Sequence, residues 1–138
     1  MKNDTISLWG EKRYHSLDYY LKNTYHEKVY RIALNAGLSC PNRDGRLDTR
    51  GCIFCSAGGS ASPTLSITEQ LETEKKILRA KRNCNKFIAY FQAFTNTYGS
   101  VEHLRDLYMQ AVNDPDVVII SIATRPDCLQ PEILSLLA

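Results

Sequence analysis

The chain has 138 residues, 43% of them hydrophobic and 23% charged, enough for one globular core and too short for two. That balance excludes a disordered or collagen-like chain. A net charge of +2, from 17 basic and 15 acidic side chains, points by itself to neither nucleic acid nor an anionic membrane.

The charge is unevenly spread. Residues 1–50 carry 9 basic and 6 acidic side chains, residues 51–100 carry 6 and 3, and residues 101–138 carry 2 and 6. An anionic partner would therefore be drawn to the first hundred residues. At the N-terminus, Met1 to Leu8 has charge and polarity where a signal peptide needs an apolar core. No apolar run approaches the ~20 residues that span a bilayer. The expectation is a cytoplasmic protein with no membrane partner. In that reducing compartment the five cysteines are expected to be metal ligands, catalytic groups or buried thiols rather than disulfides.

In chain order, Leu17, Tyr20, Leu21 and Tyr25 recur at helical spacing behind Ser16, which predicts an amphipathic helix over 16–25 with a packed tyrosine face. Lys28 to Leu34 is β-branched and aromatic enough for a strand, ended by Asn35-Ala36-Gly37. A long polar loop, 39–66, follows. Ser66-Ile67-Thr68-Glu69 is a capping-box pattern that opens a helix running to about Arg82, with Leu71 and Leu78 on its buried stripe. The basic run Lys75, Lys76, Arg79, Lys81, Arg82 and Lys86 reads as a solvated helix end, or as a nucleic-acid patch.

Phe87 to Phe94 then reads as a buried strand, closed by a loop at 95–99. Leu104, Leu107, Tyr108, Ala111 and Val112 make a second helical stripe, stopped by Asn113-Asp114-Pro115, and Val117 to Thr124 is a third buried strand. Pro131-Glu132 opens a last helix. Strands alternating with helices predict an α/β fold built on a parallel sheet. A helical lead-in occupies 1–27 and β/α units occupy 28–138 of one continuous unit. Functional residues are expected in the loops at the strand C-termini: 35–60, 95–99 and 124–130. Three strands close poorly on themselves, so the chain is expected to be the N-terminal portion of a larger domain, truncated after about three strands.

The first of those loops carries the chemistry. Cys40 is followed after eleven residues by Cys52-Ile53-Phe54-Cys55. The CxxC turn brings two thiols together and the loop can return Cys40 beside them. Structural zinc is closed by four ligands, whereas three thiolates leave a coordination position open for a substrate.

The stretch ALNAGLSCPNRDGRLDTRGCIFC resembles the cluster loop of radical S-adenosylmethionine (radical SAM) proteins, in a bacterial subgroup of the YhcC type related to the Elongator catalytic subunit. The resemblance continues through RYHSLDYYL, QAFTNTYGSVEHL and SIATRPDCL, and so runs over nearly the whole chain. It implies a partial parallel β/α barrel of radical SAM type and a 4Fe-4S cluster, three of whose four irons are held by Cys40, Cys52 and Cys55. The fourth iron would bind the amino and carboxylate groups of S-adenosylmethionine. Phe54 would pack near the adenine, and Thr95, Asn96 and Thr97 would face the methionine end. An electron donor such as flavodoxin or ferredoxin is implied, and tRNA, through a wobble uridine, is the substrate suggested by kinship.

Other readings stand beside these. The three cysteines could hold zinc with Cys84, Cys128 or one of His15, His26 and His103 as fourth ligand, in a non-enzymatic zinc- or cluster-binding module that binds RNA through its basic half. Asn42, Arg43, Asp44 and Gly45 could be a simple Asx-type turn or take a direct part in holding the cofactor, and Thr95-Asn96-Thr97 could merely cap the next helix. Arg125 and Asp127 could pair with each other around Pro126 or face the mouth of the site.

Overall fold

A computed structural model describes residues 9–55 and 64–138; the reading of Met1 to Leu8 and part of the polar loop lie outside them. Helix α1, Leu17–Tyr25, starts at Ser16, whose hydroxyl accepts the Tyr19 N–H, and stops at His26 in the left-handed region (φ 60°). Strand β1, Val29–Leu34, follows. Helix α2, Ile67–Lys81, opens with the expected capping box: Ser66 accepts from the Glu69 N–H while the Glu69 carboxylate accepts from the Ser66 N–H. Strand β2 is Lys86–Phe91, helix α3 is Val101–Val112, strand β3 is Val117–Ile122, and a single 3₁₀ turn at Pro126–Cys128 leads into helix α4, Pro131–Leu137.

The architecture is α/β, with a three-stranded parallel sheet in the order β1-β2-β3. Val29 pairs with Lys86 and the register runs unbroken to Leu34 opposite Phe91, whereas β2 and β3 shift register between Phe87 and Ile88. Ile32, Leu34, Phe87, Ala89 and Phe91 meet Ile67, Leu71, Leu104, Tyr108, Ala111 and Ile133 in the main core. Phe87, Phe91, Ile32 and Leu34 are fully buried, and each contributes on the order of 1.5–3 kcal/mol by leaving water. On the other face Leu21 packs with Val29 and Ile88, with Tyr25, Val118 and Ile119 at the margin.

Four expectations change. On α1 only Leu21 is buried, and Leu17 and Tyr20 are exposed, because the helix meets the second face of the sheet through Leu21, with Tyr25 at the margin. Strand β2 ends at Phe91, not Phe94: the chain turns through 92–94, with Phe94 at φ 65°, so the apolar run contains a turn. Strand β3, an edge strand expected to be buried, is half-buried along its whole length, with Ile120 and Ile122 lining an open apolar cavity. Finally, Lys75 lies on the buried stripe of α2 at 4% exposure rather than at a solvated end, ion-paired to Glu72, Asp114 and Asp116. Burial alone would lower its pKa, but the three carboxylates hold the ammonium well above the usual lysine range. Among the described residues no helix is long and apolar enough to cross a membrane.

Candidate functional site

Three loops meet at the C-terminal ends of the strands around a cavity of about 410 Å³. The loop after β1 supplies Cys40, Cys52, Phe54 and Cys55. The segment after β2 supplies Gln92 to Thr95, and the one after β3 supplies Ala123, Thr124 and Arg125. Parallel strands end on the same side of a sheet, so residues up to 85 positions apart share one mouth. The loops are stitched by backbone bonds: Gln92 N–H donates to Leu34 C=O, Thr95 N–H to Ser39 C=O and Asn96 N–H to Ala123 C=O. Behind β1, the buried Gln70 of α2 accepts the Asn35 N–H at 2.8 Å and donates to the Asn35 carbonyl at 2.9 Å. Those two bonds hold the start of the cysteine loop against the core.

The motif Cys40-Pro41-Asn42-Arg43-Asp44-Gly45 fastens the two halves of the cysteine loop. Cys40 C=O accepts from the Arg43 and Asp44 N–H groups, forming a turn, and Asp44 Oδ1 accepts the Arg46 N–H in an Asx pattern. Asn42 Nδ2 donates to Cys52 Sγ at 3.3 Å, and Arg43 Nη2 donates to Cys55 C=O at 3.4 Å. The Arg43 guanidinium also stacks on Phe94, 4.5 Å from the ring centroid, which ties this loop to the turn after β2. Gly51 allows that approach. It has φ 73°, and a Cβ there would lie 3.0 Å from the Arg43 guanidinium. Thus the turn reading of Asn42 to Gly45 holds, and the same residues reach both cysteines of the CxxC.

Thr95, Asn96 and Thr97 are all about 1% exposed, but they do different things. Thr95 lines the cavity and its hydroxyl donates to Cys40 Sγ at 3.2 Å. Asn96 Nδ2 donates to the carbonyls of Ala93 and Ala123, and the Asn96 carbonyl accepts the Tyr108 hydroxyl from α3. Thr97 donates to Cys128 C=O at 2.6 Å and shares a hydrogen bond with Thr124. Asn96 and Thr97 do not line the cysteine cavity; they brace the loop from behind. Phe54 is 85% exposed at its rim.

Arg125 does both things left open for it. Its Nε and Nη2 pair with Asp127 at 2.9 and 2.8 Å, and its Nη1 lies 3.7 Å from Cys40 Sγ. Burial pushes the Cys40 thiol up, but the Thr95 hydroxyl, the Asn42 backbone and Arg125 outweigh it and hold the thiol below its ordinary value. The Tyr90, Gln92 and Phe94 contributions were not anticipated. Arg125 was, from its place just past a strand's C-terminal end, and Arg43 was singled out as part of the Asn42 to Gly45 motif without its contact to Phe94.

The other cysteines stay apart. Cys84 is in the main core, and the buried Cys128 lines a separate cavity with Arg46, Thr97 and Tyr98, its thiol pushed up by burial. His15 is stacked among Trp9, Tyr19 and Tyr20. Among the described residues no three His, Cys, Asp or Glu side chains converge closely enough to hold one metal ion. A larger groove of about 620 Å³ lies between α2 and α3, but its Lys75 and Arg79 are already paired with the carboxylates beside them.

The chain is similar to the uncharacterized protein YtqA of Bacillus subtilis, at 47% identity over 132 residues, covering 93% of this chain and 41% of that protein. Protein YhcC of Escherichia coli K12 is 41% identical over 121 residues, covering 85% and 38%. The uncharacterized protein MJ0486 of Methanocaldococcus jannaschii is 33% identical over 125 residues, covering 86% and 37%. This chain therefore spans about two fifths of the length of the relatives it matches. No family model matches it, and no solved structure matches it significantly.

Proposed function

We propose that this chain is the cluster-bearing N-terminal portion of a radical SAM domain, a partial parallel β/α barrel that uses Cys40, Cys52 and Cys55 to hold a 4Fe-4S cluster. The observation that carries the reading is the lining of one cavity by these three thiols, Phe54 and Thr95 at the C-terminal ends of three parallel strands. The donor set suits the group: three soft ligands, one of them held below its ordinary pKa by hydrogen bonds and a nearby cation. When bound, such a cluster supplies one electron for reductive cleavage of S-adenosylmethionine, giving methionine and a 5′-deoxyadenosyl radical.

The residues of the chain then have definite tasks. Cys40 is anchored by Thr95, and the CxxC is held at its distance by Asn42 and Arg43. The exposed ring of Phe54 offers an apolar face to an adenine. Asn96 and Thr97 set the shape of the loop that presents Thr95. A flavodoxin or ferredoxin is the proposed electron donor, and a tRNA wobble uridine is the proposed substrate. The family resemblance alone supports those two partners. The basic run adds little to the tRNA reading, because Lys75, Arg79 and Lys86 are ion-paired to Asp114, Asp116 and Glu27.

Anaerobic reconstitution with iron and sulfide tests the reading. About four irons and matching sulfide per chain is the expected result, with 5′-deoxyadenosine formed only slowly from S-adenosylmethionine under reduction. A single tightly held zinc in place of iron would instead support the zinc-binding reading.

A further inference from the structure

We propose that Thr95, Arg125 and Asn42 form a set of donors that raises the reduction potential of the cluster held by Cys40 and Cys52. The inference rests on the reading above, that these sulfurs are cluster ligands. Three donors from three separate loops end on two sulfurs: Thr95 Oγ1 at 3.2 Å and Arg125 Nη1 at 3.7 Å from Cys40 Sγ, and Asn42 Nδ2 at 3.3 Å from Cys52 Sγ. A neutral thiol is a weak acceptor that would not reward such an arrangement, whereas a thiolate is a strong one. The set is complementary to charged sulfur.

Each donor is also aimed by something else. The Thr95 N–H is tied to Ser39 C=O, and its side chain is fully buried, so its hydroxyl acts where little water screens it. Asp127 takes two nitrogens of the Arg125 fork, and the planar guanidinium then directs Nη1 toward Cys40. Asn42 is fixed by the turn that begins at Cys40 itself. One-electron reduction adds negative charge that is shared with the ligand sulfurs, and hydrogen bonds to those sulfurs stabilise it. Removing a donor therefore makes reduction harder. Arg125 brings a full charge, but it is partly open to solvent and shares its charge with Asp127. Thr95 is neutral and buried, so the two effects are expected to be comparable. They are positioning residues that act through the ligands.

The test uses the full chain, reconstituted anaerobically, and its Thr95→Val, Thr95→Ser, Arg125→Gln and Asn42→Ala variants. Iron and sulfide content and circular dichroism establish which variants retain cluster and fold, and the midpoint is read by a redox titration followed by electron paramagnetic resonance. The expected result is a more negative midpoint for Thr95→Val, Arg125→Gln and Asn42→Ala, with Thr95→Ser at the wild-type value. The double Thr95→Val/Arg125→Gln variant should shift by about the sum of its parts. Loss of cluster from Thr95→Val but not from Thr95→Ser supports the same hydroxyl donor. Full cluster with unshifted midpoints in the three donor-deleting variants overturns the proposal and leaves the cluster reading standing. A wild-type chain that takes up no iron overturns that reading instead.

Discussion

Lys75→Met is the sharpest probe of the fold, because it keeps the length of an apolar stem and deletes one buried charge. Lys75 Nζ lies 2.7 Å from Asp114 Oδ2, 2.9 Å from Glu72 Oε1 and 3.1 Å from Asp116 Oδ2. The three carboxylates do not matter equally. The Glu72 side chain is 54% exposed, so its pair contributes well under about 1 kcal/mol. Asp116 keeps Arg79 at 3.0 Å. Asp114, only 7% exposed, is left with a buried charge whose Oδ1 still accepts the Asp116 N–H. Removing one partner of a buried pair costs about 3–5 kcal/mol, and the surviving hydrogen bond places this variant near the lower end, about 3 kcal/mol. For a chain of this size that is a fall in Tm of roughly 10 °C. Urea unfolding at pH 7 followed by far-ultraviolet circular dichroism measures it. The double variant Lys75→Met/Asp114→Asn removes the stranded charge and keeps the acceptor for Asp116, and should recover about 2 kcal/mol. A single variant within about 1 kcal/mol of the wild type, or a double variant no more stable than the single one, would refute the reasoning.

Replacing Cys40, Cys52 or Cys55 by Ala is expected to abolish the brown chromophore after reconstitution, while Cys84→Ala and Cys128→Ala keep it; absorption near the visible edge and iron content decide. Phe54→Ala should weaken S-adenosylmethionine binding to the reconstituted chain by roughly tenfold, the scale of one aromatic stacking contact, with the iron content unchanged; equilibrium binding checks it. On acidification, burial pushes the Asp116 carboxyl up, but Lys75 and Arg79 outweigh it and hold it below its ordinary value. Its stabilisation is therefore full above the unfolded value of about 4 and is lost as pH falls through the lower folded value. The urea midpoint should drop below about pH 4, and less steeply in Lys75→Met. The open edge of β3, beside an apolar cavity lined by Tyr108, Val112, Ile120, Ile122, Leu136 and Leu137, should make the chain self-associate. Size-exclusion chromatography should show this, and Leu137→Lys should reduce it.

What the linear order of residues determined was local. The Ser66 and Glu69 capping box, the Ser16 cap and the stop at Asn113 to Pro115 come from contacts within one turn, so α1, α2 and α3 were legible, as was a parallel sheet from strands separated by helices. The three thiols were legible for the same reason, since the spacing of Cys40, Cys52 and Cys55 lies within one loop. Tertiary structure decided everything that depends on which loops land together. Lys75 is buried because Asp114 and Asp116, some 40 residues on, arrive over α2, and a basic run carries no sign of that. The stretch from Phe87 to Phe94 is apolar throughout, yet its last residues turn at the cavity mouth, where Arg43 rather than the core covers Phe94. The Cys40 sulfur receives its donors from 55 and 85 residues away. Propensity acts over a few residues, whereas the environment of a side chain is set by neighbours that only the parallel sheet brings to one end.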